Sequence, residues 1–329
     1  MSCRRQRQMC IRDSDTAVWQ PFAGGALWDT FGTWGGLIPS WVDVTPRVLG
    51  AKTNRGRDRW EQEFRTGIAT VTVDNEDGLF TPDVITDIGA VALRPGRWLR
   101  VLGRANPPGE SPGPWVPLWT GQIDAMEDRY GPGAFGISSA IMCLDFGARF
   151  QIDDPPALET PIPAGQLSSD RVELLLDEAG WPDEAFWRDI DTGEVTLASS
   201  TLAGSRWSEM QAAAIAEGGA MFIAANGVPT FRNRDWLEGR LNDPPLFSIG
   251  AVDSPVQIIH ANTDWSQQRI YNDVRYARVG GTEIRVQDGA SRSLYGPRTT
   301  QRFDLECETD GDVQYLAERF LAAYRFDRA

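Results

Sequence analysis

The sequence predicts a mainly β protein with an α+β insert, and three observations carry that prediction. Short runs rich in β-branched residues recur through the first 150 residues, bounded by Pro, Gly and Asn/Asp turn chemistry. Apolar positions then take helical spacing between about 168 and 219, and the strand pattern returns from about 250. With 329 residues the chain is long enough for two or three domains, each able to bury a core.

Taken in order, residues 1–14 read MSCRRQRQMCIRDS and resemble translated sequencing-adapter sequence of the kind that contaminates genes from environmental, metagenomic DNA. They are set apart from the fold as a non-native leader. The segment carries a net +3, so the formal charge of −14 becomes −17 without it. In residues 15–150, Ile68–Val73 is a β-branched strand running into the turn Asp74-Asn-Glu-Asp-Gly78. The stretches Gly96–Leu102, Pro117–Asp124 and Ala134–Cys143 are further strands bounded by breakers. Short strands joined by turns favour a barrel or sandwich over a parallel sheet.

Consecutive prolines at Pro155-Pro156, then Pro161 and Pro163, place a domain boundary near 150. In residues 151–250, Ser168-Ser-Asp170 can cap a helix through Val172, Leu175, Leu176 and Ala179, stopped by Gly180 and Pro182. A second helix starts near Ser205 and stops at Gly218-Gly219. A hairpin follows, its strands Ala220–Ala225 and Val228–Phe231 joined by Asn226-Gly227. In residues 251–329, Val256–His260, Tyr271–Tyr276 and Thr282–Val286 alternate as strands. The closing helix, Asp312 to about Tyr324, carries Val313, Leu316, Ala317, Phe320 and Leu321 on one stripe. Nothing caps it before Ala329, so the gene fragment is expected to be cut short there.

Composition narrows the function classes. Clustered Lys and Arg are what release counterions from nucleic acid, so strong acidity argues against sequence-specific nucleic-acid binding. Lys52 is the only lysine. No apolar run approaches the roughly 20 residues of a membrane-spanning helix, which predicts a soluble protein made in a cytoplasm with no transmembrane segment. His260 is the only histidine, leaving a serine or cysteine nucleophile without an ordinary base and a zinc site without ordinary ligands. Cys143 and Cys307 are isolated and expected to be buried thiols.

Paired acids, Asp153-Asp154, Asp183-Glu184 and Asp189 with Asp191, keep a two-carboxylate glycosidase open by inventory, although adjacent acids in proline-rich loops are more often solvated. Asp74–Gly78 lacks the alternate acids and closing glutamate of a calcium loop and is expected to be a polar turn. The sequence holds thirteen tryptophans, with Trp19, Trp28, Trp34 and Trp41 crowded near the start. They fit packing under loops or against a partner, with glycan stacking as the alternative. The glycines of Phe31–Gly36 do not form a phosphate-cradling loop. No catalytic, cofactor-binding or metal residues are assigned, and no cofactor is expected.

Collinear pieces resemble siphophage minor tail and tail-tip baseplate hub proteins, those of actinobacterial hosts above all. The pieces are Trp41–Thr45, Gly67–Pro82, Pro95–Val101, Pro117–Asp124, Tyr271–Val274, Gly280-Gly281, Ser291 through Arg298 and the closing helix. The resemblance implies β-barrel-like domains, with residues 15–150 an N-terminal one, 151–250 an α+β middle domain and 251–329 a C-terminal β domain with a terminal helix. It implies a non-enzymatic virion structural protein, assembled in the host cytoplasm, that joins the tail tube to distal tail or receptor-binding parts. Expected partners are further copies of the chain in a trimeric ring, tail-tube and distal tail proteins, and the tape measure protein. The alternative of another class is a carbohydrate-binding or carbohydrate-cleaving tail protein acting on the host surface.

Overall fold

The computed structural model describes residues 6–13, 40–57, 63–81, 95–104, 111, 113–130, 137–152, 161–201, 204–236, 239, 249–250, 256–257 and 269–326. Strand β4 (Arg65–Asp74) sets the pattern for the first half: Gly67, Ala69, Val71 and Val73 are buried while Ile68, Thr70 and Thr72 face outward, the period-2 alternation of a sheet with one packed face. It belongs to an antiparallel seven-stranded sheet with β1 (Gln6–Asp13), β2 (Ser40–Asp43), β3 (Val48–Gly56), β5 (Trp98–Arg104), β6 (Val116–Arg129) and β7 (Ser138–Leu144), in the order β2-β1-β5-β6-β7-β4-β3. The two edge strands, β2 and β3, are consecutive in the chain and joined by the single 3-10 turn Thr45–Arg47. That short link holds the sheet's ends near each other and curls it into a half-barrel. Register shifts at Val101/Leu102 and Ile123/Ala125 add the local twist that bulges supply. Inside lie Leu99, Val101, Trp119, Ile123, Ile141 and Cys143, closed off by Val44 and Phe80.

Gln6–Asp13 pairs with both β5 and β2. The physical reason is general: an open strand edge offers backbone donors and acceptors and asks little of side-chain identity.

Only Asp145 separates β7 from helix α1 (Phe146–Ile152). This helix spans the boundary expected near 150, and its Phe146 and Phe150 belong to the second core. Then come β8 (Gln166–Leu167), α2 (Ser168–Glu178), β9 (Asp189–Ile190), β10 (Thr196–Leu197), α3 (Arg206–Glu217), and the hairpin β11 (Ala220–Ile223) and β12 (Pro229–Arg232). Helix α3 forms where expected: the Ser205 hydroxyl accepts from the Ser208 amide at 3.2 Å, and Gly218 ends it at φ +71°. Helix α2 also forms, but its N-cap is Leu167 and no side chain caps it. The Ser168 hydroxyl is used elsewhere, donating to Glu217.

A parallel pair of two-residue strands, β13 (Ile249–Gly250) and β14 (Val256–Gln257), precedes β15 (Asp273–Arg278), β16 (Ile284–Gln287), α4 (Gly289–Tyr295), β17 (Thr299–Leu305) and α5 (Asp310–Tyr324). β15 pairs antiparallel with β16 and parallel with β17, α4 making the crossover. Helix α5 packs its Val313, Leu316, Ala317 and Leu321 into the core. One cluster of buried residues runs from Phe146 to Leu321. Residues of both segments 151–250 and 251–329 contribute to it.

Candidate functional site

The half-barrel and the second unit meet at a junction built on aromatic rings and one buried carboxylate. Trp98, at the start of β5, reaches out of the barrel into the second core, its ring 4.8 Å from Phe146 and 5.9 Å from Trp187 between centroids. Asp145 Oδ2 accepts from the Gly67 amide at 2.6 Å and Oδ1 from the Gly147 amide at 2.9 Å. One side chain thus ties β4 to the first turn of α1. Burial pushes its carboxyl up to about 7, against the pull of those two amides and of Arg55. The Thr120 hydroxyl donates to the Ala225 carbonyl at 2.9 Å, so β6 also holds the turn of the β11–β12 hairpin.

Within the second unit the acids are engaged by structure. Glu217, fully buried, accepts at Oε2 from the Ser168 hydroxyl (2.7 Å) and the amides of Val195 (3.0 Å) and Glu194 (3.1 Å). Its Oε1 lies 3.5 Å from Arg234 Nε, and Arg234 also faces Asp312 and stacks over Tyr315. A Cβ at Gly193 would come 2.0 Å from the Ser168 hydroxyl, which explains glycine there. Arg171, buried, donates to Gln166 and to the Ala198 carbonyl, with Glu306 at 3.7 Å. Burial and repulsion by Glu209 raise the Glu306 carboxyl despite Arg171. Asp273 takes both Arg285 donors across β15 and β16, at 2.9 and 2.6 Å, and those bonds hold its carboxyl well below the usual range.

The residues singled out on sequence fall into place as follows. Asp189 and Asp191 both grip Arg232; Asp183 and Glu184 are exposed after α2. Asp74–Gly78 forms a turn, and the buried Asn75 in it binds Ser139 (2.8 Å), Thr81 (3.0 Å) and the Phe80 amide (2.7 Å). Among the described residues no group of three or more His, Cys, Asp or Glu is placed to hold a metal. Cys143 and Cys307 are buried free thiols, and burial pushes the Cys307 thiol up to about 12. Trp41 lies under the Arg100 guanidinium at 4.1 Å. His260, Asp153-Asp154, Trp19, Trp28, Trp34 and Phe31–Gly36 lie outside the described residues. The Glu217 hub escaped sequence reading because its partners sit 17 to 49 positions away.

A cleft between the β3–β4 hairpin and the second unit is lined by Phe64, Ile215, Tyr271, Tyr276, Leu316 and Phe320, with about 230 Å³ of accessible volume. That is below the roughly 300–1,000 Å³ typical of small-molecule pockets. Trp115 (37%), Val116 (48%) and Leu118 (39%) are exposed where β6 begins. Phe186, 61% exposed, stands in the turn after α2 among Asp177, Glu178, Asp183 and Glu184. Exposed apolar side chains beside charge are features of surfaces that dock other proteins. Among the described residues no helix is long and apolar enough to cross a membrane.

No protein-family model matches the chain, and no curated protein matches its sequence. Solved structures do. A tail protein from Neisseria meningitidis MC58 superposes with a TM-score of 0.56 at 13% identity, covering 97% of this chain and 77% of that one. The 43 kDa tail protein of prophage MuSo2 from Shewanella oneidensis gives 0.52 at 13% identity, covering 96% and 78%. At that identity what is shared is architecture, half-barrel and second unit together. The chain has the mainly β fold of these phage tail proteins.

Proposed function

We propose that this chain is a structural component of a phage tail tip, a hub or minor tail protein. It would assemble with copies of itself into a ring and join the tail tube to distal tail or receptor-binding parts. The observation that carries the reading is the match of nearly the whole chain, 97%, to a tail protein, which takes in both units and their order. The second support is chemical. The buried carboxylates of the second unit are committed to ion pairs and backbone amides, and such groups position structure instead of turning over substrate.

The test is the assembly state of the chain by native mass spectrometry, with negative-stain imaging of the same sample. The expected result is a trimeric or hexameric ring with an axial opening. A chain that stays monomeric at high concentration overturns the hub assignment.

A further inference from the structure

The chain passes from the half-barrel to the second unit through one residue. β7 ends at Leu144, α1 begins at Phe146, and Asp145 stands between them. Its side chain closes the seam on both sides: Oδ2 takes the Gly67 amide of β4, and Oδ1 the Gly147 amide of α1. The cores on either side are separate sets of buried side chains. Ring contacts and the Thr120–Ala225 bond also cross the seam, yet only at Asp145 is the covalent link itself held by a titratable group. Two cores joined in this way are the units between which a native protein opens locally without unfolding either half.

The surroundings of the carboxyl set its charge state when the seam is shut. Asp145 is 7% exposed. β6 closes over it with Gly121, where a Cβ would lie 2.8 Å from the Asp145 Cα, and α3 brings the Trp207 ring to 3.4 Å from a Cβ at Gly147. β4 and α1 present backbone amides, and the charged side chain acting on it is the exposed Arg55 of β3. Burial outweighs the two amides and that guanidinium, and the group keeps its proton up to about pH 7. With the seam open, water reaches the carboxyl, and it ionises at about pH 4 like any exposed aspartate.

We infer that the seam between the half-barrel and the second unit is a proton-controlled hinge: protonated Asp145 holds it shut, and ionised Asp145 lets it open. The sign follows from linkage. The shut seam keeps a proton that the open seam gives up, so closure is favoured in full below about pH 4. That advantage is lost as pH rises to about 7, above which the group is ionised in both forms and the balance stops moving. Within the window, each pH unit multiplies the population of the open seam by about ten. The hinge belongs to the fold of the single chain and works whether or not the chain assembles into a tail.

The experiment is amide hydrogen exchange in the full chain, followed by NMR from about pH 5 to 8.5, with each rate divided by the intrinsic exchange rate at that pH. The Gly67 and Gly147 amides, which Asp145 holds directly, report the opening. Their protection should fall about a hundredfold between pH 5 and 7 and then level off. The Asn75 amide, bonded to the Ile137 carbonyl just past the other end of β4, should show no such slope. Asp145→Asn should flatten the profile at both glycines, which the loss of a merely structural contact would not do. Arg55→Ala, at an exposed position, removes the guanidinium that favours the ionised carboxyl and should move the levelling point above pH 7. Protection at Gly67 and Gly147 that stays constant from pH 5 to 7 overturns the hinge, as does a slope that persists in Asp145→Asn. Should that variant fail to fold, Arg55→Ala decides, and a levelling point that does not move overturns the hinge equally.

Discussion

Asp145 links the two units through its carboxylate, and its environment gives it a pH signature. Its folded pKa, near 7, lies above the ordinary carboxylate value, so the native state holds a proton that the unfolded chain gives up at about pH 4. Its contribution is therefore greatest below pH 4 and is lost as pH rises toward 7. In Asp145→Asn the amide oxygen can serve only one of the two backbone donors, which should cost about 1–2 kcal/mol at pH 5. At pH 8 the wild type also bears the cost of a buried charge and the variant does not. Urea midpoints should accordingly converge or cross between pH 5 and 8, and a gap unchanged across that range would refute the assignment. Glu217 acts differently, because three donors and Arg234 are arranged around it. Glu217→Ala leaves Arg234 buried without its nearest counter-charge and should cost about 3–5 kcal/mol in denaturant unfolding. Glu217→Gln, which keeps the acceptor, should cost less.

At the level of elements, the legible parts are those whose signal is local. Strand β4 alternates over Gly67 to Val73, α3 is bracketed by Ser205 and Gly218, and the hairpin turns at Asn226-Gly227, with Gly227 at φ +90° and its amide bonded to the Ala224 carbonyl. Strands β3 and β17 were not legible. Their residues are mostly exposed or half-buried, so no apolar alternation announces them, and pairing with β4 and β15 makes them strands. The cap of α2 misled for a related reason: Ser168 has the chemistry of a cap, but a carboxylate 49 positions away claims its hydroxyl. The acidic pairs were visible as residues and not as a surface, since only the fold shows which of them point outward. Gly218 offers a check on element-level reading. At φ +71°, with a Cβ that would lie 2.7 Å from Leu316 Cδ2, Gly218→Ala combines left-handed strain with a clash into α5. It should lower stability by about 1–3 kcal/mol, whereas Gly289→Ala, where a Cβ meets nothing within 4 Å, should be close to neutral in the same thermal melts.

Across the whole molecule, two cores are coupled through a few side chains that cross between them. Val71, Leu99, Trp119 and Ile141 define the barrel core, and Leu175, Met210, Phe231 and Leu316 the second. Trp98 belongs to the first by chain position and to the second by packing. Its ring meets Phe146 and Trp187, which in turn pack on Trp181. Cooperativity between the units should depend on these crossing contacts, the Phe64–Phe222 ring pair at 4.9 Å among them. In the wild type, the loss of β signal in far-UV circular dichroism and the loss of near-UV aromatic signal should coincide along a urea titration, the signature of a single transition. Trp98→Ala removes a large aromatic ring from the junction and leaves the buried sets of both cores intact. It should cost roughly 2–4 kcal/mol and split the unfolding curve in two, because the barrel no longer gains from the second core's packing. Coincident probes in Trp98→Ala would mean that Asp145, the Thr120–Ala225 bond and the Phe64–Phe222 ring pair suffice to couple the units. In that case the Trp98→Ala, Asp145→Asn double variant should show the split that the single one lacks.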